Sequence, residues 1–497
     1  MSDPARTPVI VGIGESLDRP FEVAHAKEPI ALAAEAARGA EADAGAALLA
    51  QVDALDLVNL VSWRYADAAG ALADLLGIAP AHHQFHEVGG ESPVRLLHEA
   101  ALRIARGESR VALVCGAEAQ HSASRAQREG VVPPWTPFAK DGPKPLRGAD
   151  LVHPLALRMG LATPTQVYPL YEMASAASWG QAPAEARAES GTLWERYSAV
   201  AAQNPRAWLR KSFTADAIVT PADDNRMIAW PYTKLMVANP LVNQGAAVLV
   251  TSLAVAREVG WPEDRIVHFA GGAAASEPRD FLQRDSFTHS PAQDAVLEAA
   301  RALAPDGFDA LELYSCFPCV PKMARRSLGL GREVEPSVTG GLTFFGAPLS
   351  TYMLHAACAM VRRLREGGGT GLLYGQGEFV TKHHALVLSR DAAAPLAADY
   401  SVQADADARR GPVPDIVEPV AGPAILESAT VLFGREGLDR GVVILRTPDG
   451  ARTMATVPAE DSATLALMMG EDRFPVGLTG RITIEGDSAH WRAEEGR

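Results

Sequence analysis

Gly89 and Gly90 stand immediately ahead of an amphipathic run in "FHEVGGESPVRLLHEAA" (85–101), and a turn of this kind can hold an anion. The spacing of Val94, Leu97, Ala101 and Ile104 predicts a helix with Ser92 as N-cap, Pro93 as its first residue and Gly107 as its stop. A helix start presents unpaired N–H groups and the positive end of the dipole, which favour a thiolate or an oxyanion. Yet the stretch has no cysteine. Cys115 lies in an apolar run, and Cys316 and Cys319 form Cys-x-x-Cys in "YSCFPCVPK". Without a second pair or a neighbouring His pair, that spacing reads as packing rather than as a metal or redox site. His82, His83 and His86 crowd one strand-like stretch and read as hydrogen-bonded structure; His383 and His384, beside Lys382, are the better candidates for chemistry. "GIGES" lacks the third glycine of a dinucleotide fingerprint, and no Walker loop, Gly-x-Ser-x-Gly elbow or His-Glu-x-x-His occurs.

Strand-like runs are arranged to carry these residues. "TPVIVGIGES", "ALDLVNLVSW", "HHQFHEV", "SRVALVCGAEA" and "QGAAVLVTSLA" come first. "DRIVHFAGGAA", "FDALELYSCF", "TGGLTFFGAPLSTYMLHAACAMVRRL", "GTGLLYGQGEF" and "HHALVLS" repeat that order of parts. Strands alternating with helices predict an α/β fold with buried sheets, and the doubling predicts two pseudo-symmetric halves. The first half spans 1–263 with a loop domain inserted at about 121–237, and the second spans 264–395. The insertion holds most of the Trp and Tyr residues, chiefly as its own core. A polar, Pro-rich linker (396–414) leads to several short strands at 415–497, which predict a small β-barrel.

Composition narrows the function. At 497 residues with 47% apolar and 21% charged side chains, the chain is an ordinary globular protein with room for several domains. A net charge of -14 argues against a nucleic-acid partner. Arg325-Arg326 and Arg362-Arg363 read as solvated helix faces. No apolar run is long enough to cross a membrane and the N-terminus has no export signal, so a cytoplasmic protein with reduced thiols is expected.

In combination these motifs resemble the thiolase superfamily over nearly the whole chain. "VGGESPVRLLHEAA" lies where that family places its nucleophilic cysteine, and "CGAEAQHSA" resembles the segment after the next strand. "LVNQGAAVLVTS" is similar to its Asp-Gly-Ala-Ala strand, with Asn243-Gln244 ahead of Gly245. "ELYSCFP" resembles Asn-Glu-Ala-Phe or His-Asp-Cys-Phe, "GGLTFFGAPLS" is similar to Gly-Gly-Leu-x-x-x-Gly-His-Pro-Leu, and "LLYGQGEFVTKHH" falls on the final Cys-x-Gly region. "ADDNRMIAWPYTKLM" (222–236), "TKHH" and the extra barrel most resemble the type 1 thiolase-like proteins. The resemblance implies two βαβαβαββ halves in a layered α/β/α/β/α sandwich, with the loop domain and an OB-like C-terminal barrel. It also implies an acetyl-CoA acetyltransferase relationship in lipid metabolism, no cofactor beyond a CoA thioester as ligand, and a monomer or homodimer.

The family's reacting groups are replaced. Its nucleophile position reads Gly89, or Gly90 one residue on; its His reads Ala347; its second cysteine reads Tyr374, or Gly375 one residue on. The polar residue beside the thioester oxygen reads Tyr314 or Ser315. Without the nucleophile no acyl-enzyme forms, and loss of one oxyanion donor alone costs about 10²–10³ in rate. The expectation is a binder of acyl-CoA or a related thioester, through Gly89, Gly90, Gly346 and Pro348, with little thiolase turnover. Two alternatives stand beside it. One is a retro-aldolase on a β-hydroxyacyl-CoA, with Tyr314, Ser315, Tyr374 and His383 as candidate catalytic groups and the two tyrosines as acid and base. The other is a scaffold that binds a protein partner.

Overall fold

β1 (Pro8–Leu17) opens the first sheet in the computed structural model, which describes residues 3–392 and 394–494. Its glycines let α1 (Pro29–Ala44) lie directly on the strand: a Cβ at Gly14 would stand 1.9 Å from the Ala36 carbonyl oxygen. "GIGES" is therefore a helix-packing motif. β2 (Ala54–Leu57), α2 (Ala68–Leu76), β3 (His82–Phe85), α3 (Ser92–Arg106) and β4 (Val111–Ala119) follow. The insertion holds α4 (Gln120–Glu129), α5 (Pro154–Arg158), α6 (Pro164–Ser178), α7 (Pro183–Gln203), α8 (Ala215–Val219) and a hairpin, β5 (Met227–Ala229) and β6 (Tyr232–Thr233). β7 (Asn243–Ser252) completes the first half, and α9 (Leu253–Glu258) leads to the second. That half contains β8 (Val267–Ser276), α10 (Pro291–Ala302), β9 (Ala310–Leu313), α11 (Cys319–Ser327), α12 (Tyr352–Gly367), β10 (Thr370–Gly377) and β11 (Lys382–Ser389).

The strand order is β3-β2-β4-β7-β1-β8-β11-β10-β9. β2 runs parallel to β3 and β4, as β9 does to β10, and the other neighbours are antiparallel. The halves meet where β1 and β8 share only Val9↔His268 and Ile10↔Val267. α3 and α12 fill the space between the two halves of this sheet, packed on strands of both and on each other, with α1 and α10 outside. This is the layered sandwich. β4 and β7 are buried along their whole length, which explains the apolar runs within them, 111–115 and 246–250.

One strand of the expected second half is missing. Leu313 N–H bonds to Pro336 O at 2.9 Å, but Pro336 has no N–H to continue a ladder. Ser337 and Thr339 turn inward instead: Ser337 Oγ donates to Glu312 Oε2 at 2.9 Å, and the backbone N–H groups of Val338 and Thr339 add 3.0 and 3.2 Å bonds. Glu312 is the third residue of β9, as Asp56 is of β2. Each buried carboxylate ties its strand to the central layer: Glu312 accepts from Tyr352 of α12 at 2.6 Å, and Asp56 pairs with Arg103 of α3 and with His86 at 2.9 Å.

The connecting segment lies along β8, with Ala274 N–H donating to Tyr400 O at 2.9 Å, and forms α13 (Gln403–Arg409). β12 (Gly422–Phe433), β13 (Leu438–Arg446), β14 (Arg452–Pro458), α14 (Ser462–Met468), β15 (Thr479–Glu485) and β16 (Ser488–Ala493) follow. The order β13-β14-β16-β15-β12, closed by β12 on β13, makes a five-stranded barrel. The hairpin from the insertion extends this barrel: Ala229 pairs with Leu432, and Trp230 N–H donates to Val431 O at 2.8 Å. Buried Arg452 joins the barrel to the second half, bonding Glu427 Oε1 at 2.6 Å and Arg284 O at 2.6 Å.

Three of the four arginines expected on solvated faces are held against the protein instead. Arg326 lies 3.6 Å over the Trp179 ring and pairs with Glu189, and Arg325 is buried against Gly331 O. Arg362 pairs with buried Glu15, and of these four only Arg363 is exposed. Their aliphatic stems cover apolar surface that shorter side chains would leave wet. No described helix is long and apolar enough to cross a membrane.

Buried imidazoles give the fold an acid limit. Burial holds His98 at about 4, His383 at about 4 and His355 at about 3, with His384 also well below its ordinary value. A depressed imidazole contributes stability that is full above its unfolded value near 6.5 and is lost as pH falls through that range. Burial raises Glu118 and Glu312 to about 7, which acts oppositely, their contribution being full below about 4.5 and lost as pH rises through 7. Glu91, Asp280 and Glu335 are also raised and His121 and His268 also lowered, so six imidazoles stand against five carboxyls and the melting temperature is expected to fall from pH 6.5 to 4.5. A flat or rising profile in a scanning-calorimetry series would contradict this balance.

Candidate functional site

A cavity of about 450 Å³ opens where the start of α3, the ends of β9 and β10, and α6 of the insertion converge. Gly89, Gly90, Tyr314, Cys316, Tyr168 and Gln376 are among its walls. The helix behind it begins one residue earlier than predicted in its cap: Glu91 is the N-cap, Ser92 the first helical residue, and Gly107 the left-handed stop. Ser92 Oγ therefore caps nothing and points to Glu87 O at 3.4 Å.

Two side chains fill the space where a residue larger than glycine would project. A Cβ at Gly89 would stand 2.5 Å from Glu91 Oε2 and 2.7 Å from Ser92 Oγ. A Cβ at Gly90 would stand 2.3 Å from Tyr314 Oη and 2.3 Å from Gln376 O. At Gly90 a backbone carbonyl leaves no room for a cysteine, whereas at Gly89 the Glu91 and Ser92 side chains would have to move aside for one. The Gly89 N–H is also taken, donating to Ser350 Oγ at 3.1 Å.

Glu91 is the unexpected residue of the site. Burial raises its carboxyl, while Lys382, whose Nζ lies 3.9 Å away, and its own N–H act the other way. Its Oε2 is buried without a hydrogen-bond partner. Next to it, burial would raise Glu378, but hydrogen bonds from Arg279 (3.0 Å) and Lys382 Nζ at 3.1 Å hold it below its ordinary value. Glu378 (φ 59°) and Leu349 (φ 42°) both line the cavity in the left-handed region, which non-glycine residues avoid.

Tyr314 is the expected residue that does reach the cavity. Its hydroxyl has no hydrogen-bond partner among the described residues, and burial, with the neighbouring Cys316 and Glu91, keeps it well above its ordinary value. Cys316 lines the wall, but burial pushes its thiol up to about 12, so it stays protonated at neutral pH. Gln376 Nε2 donates to Tyr168 Oη at 2.5 Å, and Tyr168 Oη donates to Glu378 O at 2.7 Å. Gln376 Oε1 is left unpaired.

The other expected residues lie elsewhere. Tyr374 is two residues deeper in β10, under α10, where Gln293 Nε2 donates to its hydroxyl at 2.8 Å and His383 Nδ1 sits at 2.7 Å. His383 is the second residue of β11, and its Nε2 faces Val380 O at 3.1 Å. The Tyr314–Tyr374 pair is therefore not assembled. Gly375, not Tyr374, faces the start of α3, since a Cβ there would stand 2.9 Å from Glu91 Cα. Ser315 Oγ accepts the Leu342 N–H at 3.3 Å and stays behind the wall. Gly346 faces Gln244, and Pro348 is skipped while Ala347 and Leu349 line the cavity. His86 is bound to Asp56, and no group of three or more potential metal-ligating side chains occurs among the described residues. Glu91, Tyr168, Ser350, Gln376 and Glu378 were not singled out in the sequence. The signal was faint: a carboxylate directly after the glycine pair, and a second after "GQG".

Known proteins share this fold. Residues 402–487 match the thiolase-like protein type 1 additional C-terminal domain. No curated protein sequence matches the chain. The crystal structure of a monomeric SCP2-thiolase like protein type 1 from Mycobacterium smegmatis is 30% identical, with TM-score 0.83, covering 99% of this chain and 100% of that one. The Ltp2-ChsH2(DUF35) aldolase is 20% identical, covering 78% of this chain and 98% of that one with TM-score 0.59. Human mitochondrial 3-ketoacyl-CoA thiolase is 15% identical, with TM-score 0.56 over 78% of this chain and 100% of that one. These last two share the fold. The sandwich, the glycine turn at its centre and the terminal barrel together make this chain a member of the SCP2-thiolase-like proteins of type 1, a thiolase fold with an additional C-terminal domain.

Proposed function

We propose that the chain binds an acyl-CoA or similar thioester in the cavity beside Gly89 and Gly90 and does not carry out thiolysis. The observation that carries this reading is the filling of both possible nucleophile positions, by the Glu91 carboxyl at Gly89 and by the Tyr314 hydroxyl at Gly90. The cavity volume of about 450 Å³ suits an acyl chain and part of a pantetheine arm. Acyl-CoA esters are expected to raise the melting temperature by a few degrees at saturating ligand. Intact mass should show no acyl adduct, and no thiolysis product should form with added CoA. Ala238→Trp, at the cavity wall, should abolish the shift without changing the unliganded melting temperature. A covalent acyl-protein, or no shift with any chain length, would overturn the reading.

A second reading is favoured by the unpartnered Tyr314 hydroxyl beside Glu91, a pair able to exchange a proton with a bound substrate. It makes the chain a retro-aldolase on a β-hydroxyacyl-CoA, and one protein that shares its fold is named an aldolase. Aldehyde or ketone release that disappears in Tyr314→Phe would select it.

A further inference from the structure

A second cavity, of about 500 Å³, lies between the end of β1, α1 and the last turns of α12, and shares no wall residue with the first. Four guanidinium groups converge on it: Arg206, Arg265, Arg362 and Arg365. They come from three separate parts of the chain, so no single helix face explains the cluster. Its carboxylates are Glu15, Asp43 and Glu366. Glu15 is divided between His355 Nδ1 at 2.6 Å and Arg362. Asp43 is divided among the Ile13 N–H at 3.0 Å, Arg265 at 2.9 Å and Arg365 at 2.7 Å. Glu366 is exposed, and its charge favours the Arg362 cation.

Arg206 has no carboxylate partner among the described residues and reaches only Glu15 O, at 3.5 Å. Trp261 fixes two of the others, with the Arg265 guanidinium 4.8 Å and the Arg365 guanidinium 5.3 Å from its ring. Burial and the neighbouring Arg365 hold Arg362 below its ordinary value, as expected of cations crowded without enough counter-charge. Guanidinium groups held rigid and outnumbering the carboxylates around them four to three are suited to phosphate oxygens, which they bind in bidentate fashion.

We propose that this cavity binds the phosphate groups of a nucleotide-sized polyphosphate, with Arg206, Arg362 and Arg365 as its anion contacts. The site is independent of the thioester reading, because it lies in a different cavity. The volume exceeds what an inorganic ion needs and falls in the range of small organic ligands.

Titration calorimetry of the full chain with pyrophosphate, ADP and adenosine tests it. Pyrophosphate and ADP should bind, adenosine should not, and raised salt should weaken both. Arg206→Ala should reduce pyrophosphate affinity about tenfold or more while leaving the melting temperature unchanged. Ala238→Trp, which blocks the other cavity, should leave pyrophosphate binding intact. Absence of heat with both anions at millimolar concentration would overturn the proposal. So would pyrophosphate binding that survives Arg206→Ala but is lost in Ala238→Trp, since the anion would then lie in the first cavity. Arg362→Gln gives a second check and should weaken pyrophosphate in the same direction; unchanged affinity in both arginine variants would also overturn it.

Discussion

Lys322→Met is expected to lower stability by about 3–5 kcal/mol. Lys322 is fully buried in α11, where its Nζ meets the Glu172 carboxylate and donates to Ser190 Oγ at 3.0 Å. Glu172 is itself buried, and Tyr232 Oη donates to its Oε2 at 2.9 Å. Taking away the ammonium leaves a carboxylate with one hydroxyl in a dry interior, and the cost is that of the unpaired charge rather than of the lost bond. Lys322→Met with Glu172→Leu should therefore recover most of the loss, because neither charge remains to be solvated. Denaturant unfolding of the two variants separates the cases: a single variant within 1 kcal/mol of the parent, or a double variant no better than the single, would contradict the account. The effect should reach the cavity as well. Glu172 lies one turn beyond Tyr168 on α6, so loosening this pair shifts the wall that Tyr168 provides.

Gly90→Cys is the second large expected effect. Restoring the thiol to a thiolase-like turn should yield no acyl-enzyme and should destabilise the chain by about 1–3 kcal/mol, in the range for overpacking a filled site. Tyr314 Oη can swing away from the new Cβ, but the Gln376 carbonyl, also 2.3 Å from it, belongs to β10 and cannot. Gly90→Cys with Tyr314→Ala is accordingly expected to recover only part of the loss. The thiol would also sit beside Glu91, whose negative form disfavours a thiolate, and would face Ala347 where the family has a base. Melting temperature and intact mass after incubation with an acyl-CoA check both halves of the prediction. A variant as stable as the parent that carries an acyl group would show the turn to be roomier than its geometry.

The fold was legible because its signals are local and repeated. Apolar strands, glycine turns and helix stops recur in the same order in both halves, and β1's glycines, β4 and β7 fall where the sequence places them. An echo went unused: Asp53-Ala54-Leu55-Asp56-Leu57 and Asp309-Ala310-Leu311-Glu312-Leu313 mark the paired second strands, each with its buried carboxylate. The missing third strand was harder to foresee, because only the inward turn of Ser337 and Thr339 onto Glu312 shows why Pro336 ends pairing there. The site was less legible than the fold. Tyr314 and the glycine pair stand at the cavity, but Tyr374 and His383 bond to each other beneath α10. Depth along a strand, two residues in this case, separates a wall residue from a core residue and leaves no mark in composition. Glu91 was masked for a similar reason: a glutamate at a helix start is ordinary, and only burial against Gly89 and Gly377 makes it unusual.

The hairpin that extends the barrel also sets a schedule for biosynthesis. Ala229 and Trp230 leave the ribosome about two hundred residues before the β12 residues they pair with, an interval of roughly 10–40 s at ordinary elongation rates. Throughout that time Met173, Ala176 and Trp230, which end up packed with the barrel's interior residues, have nothing to cover them. The nascent chain thus carries an adhesive patch and an unpaired strand edge until the barrel strands are made, and the early half is covered only once they have folded onto it.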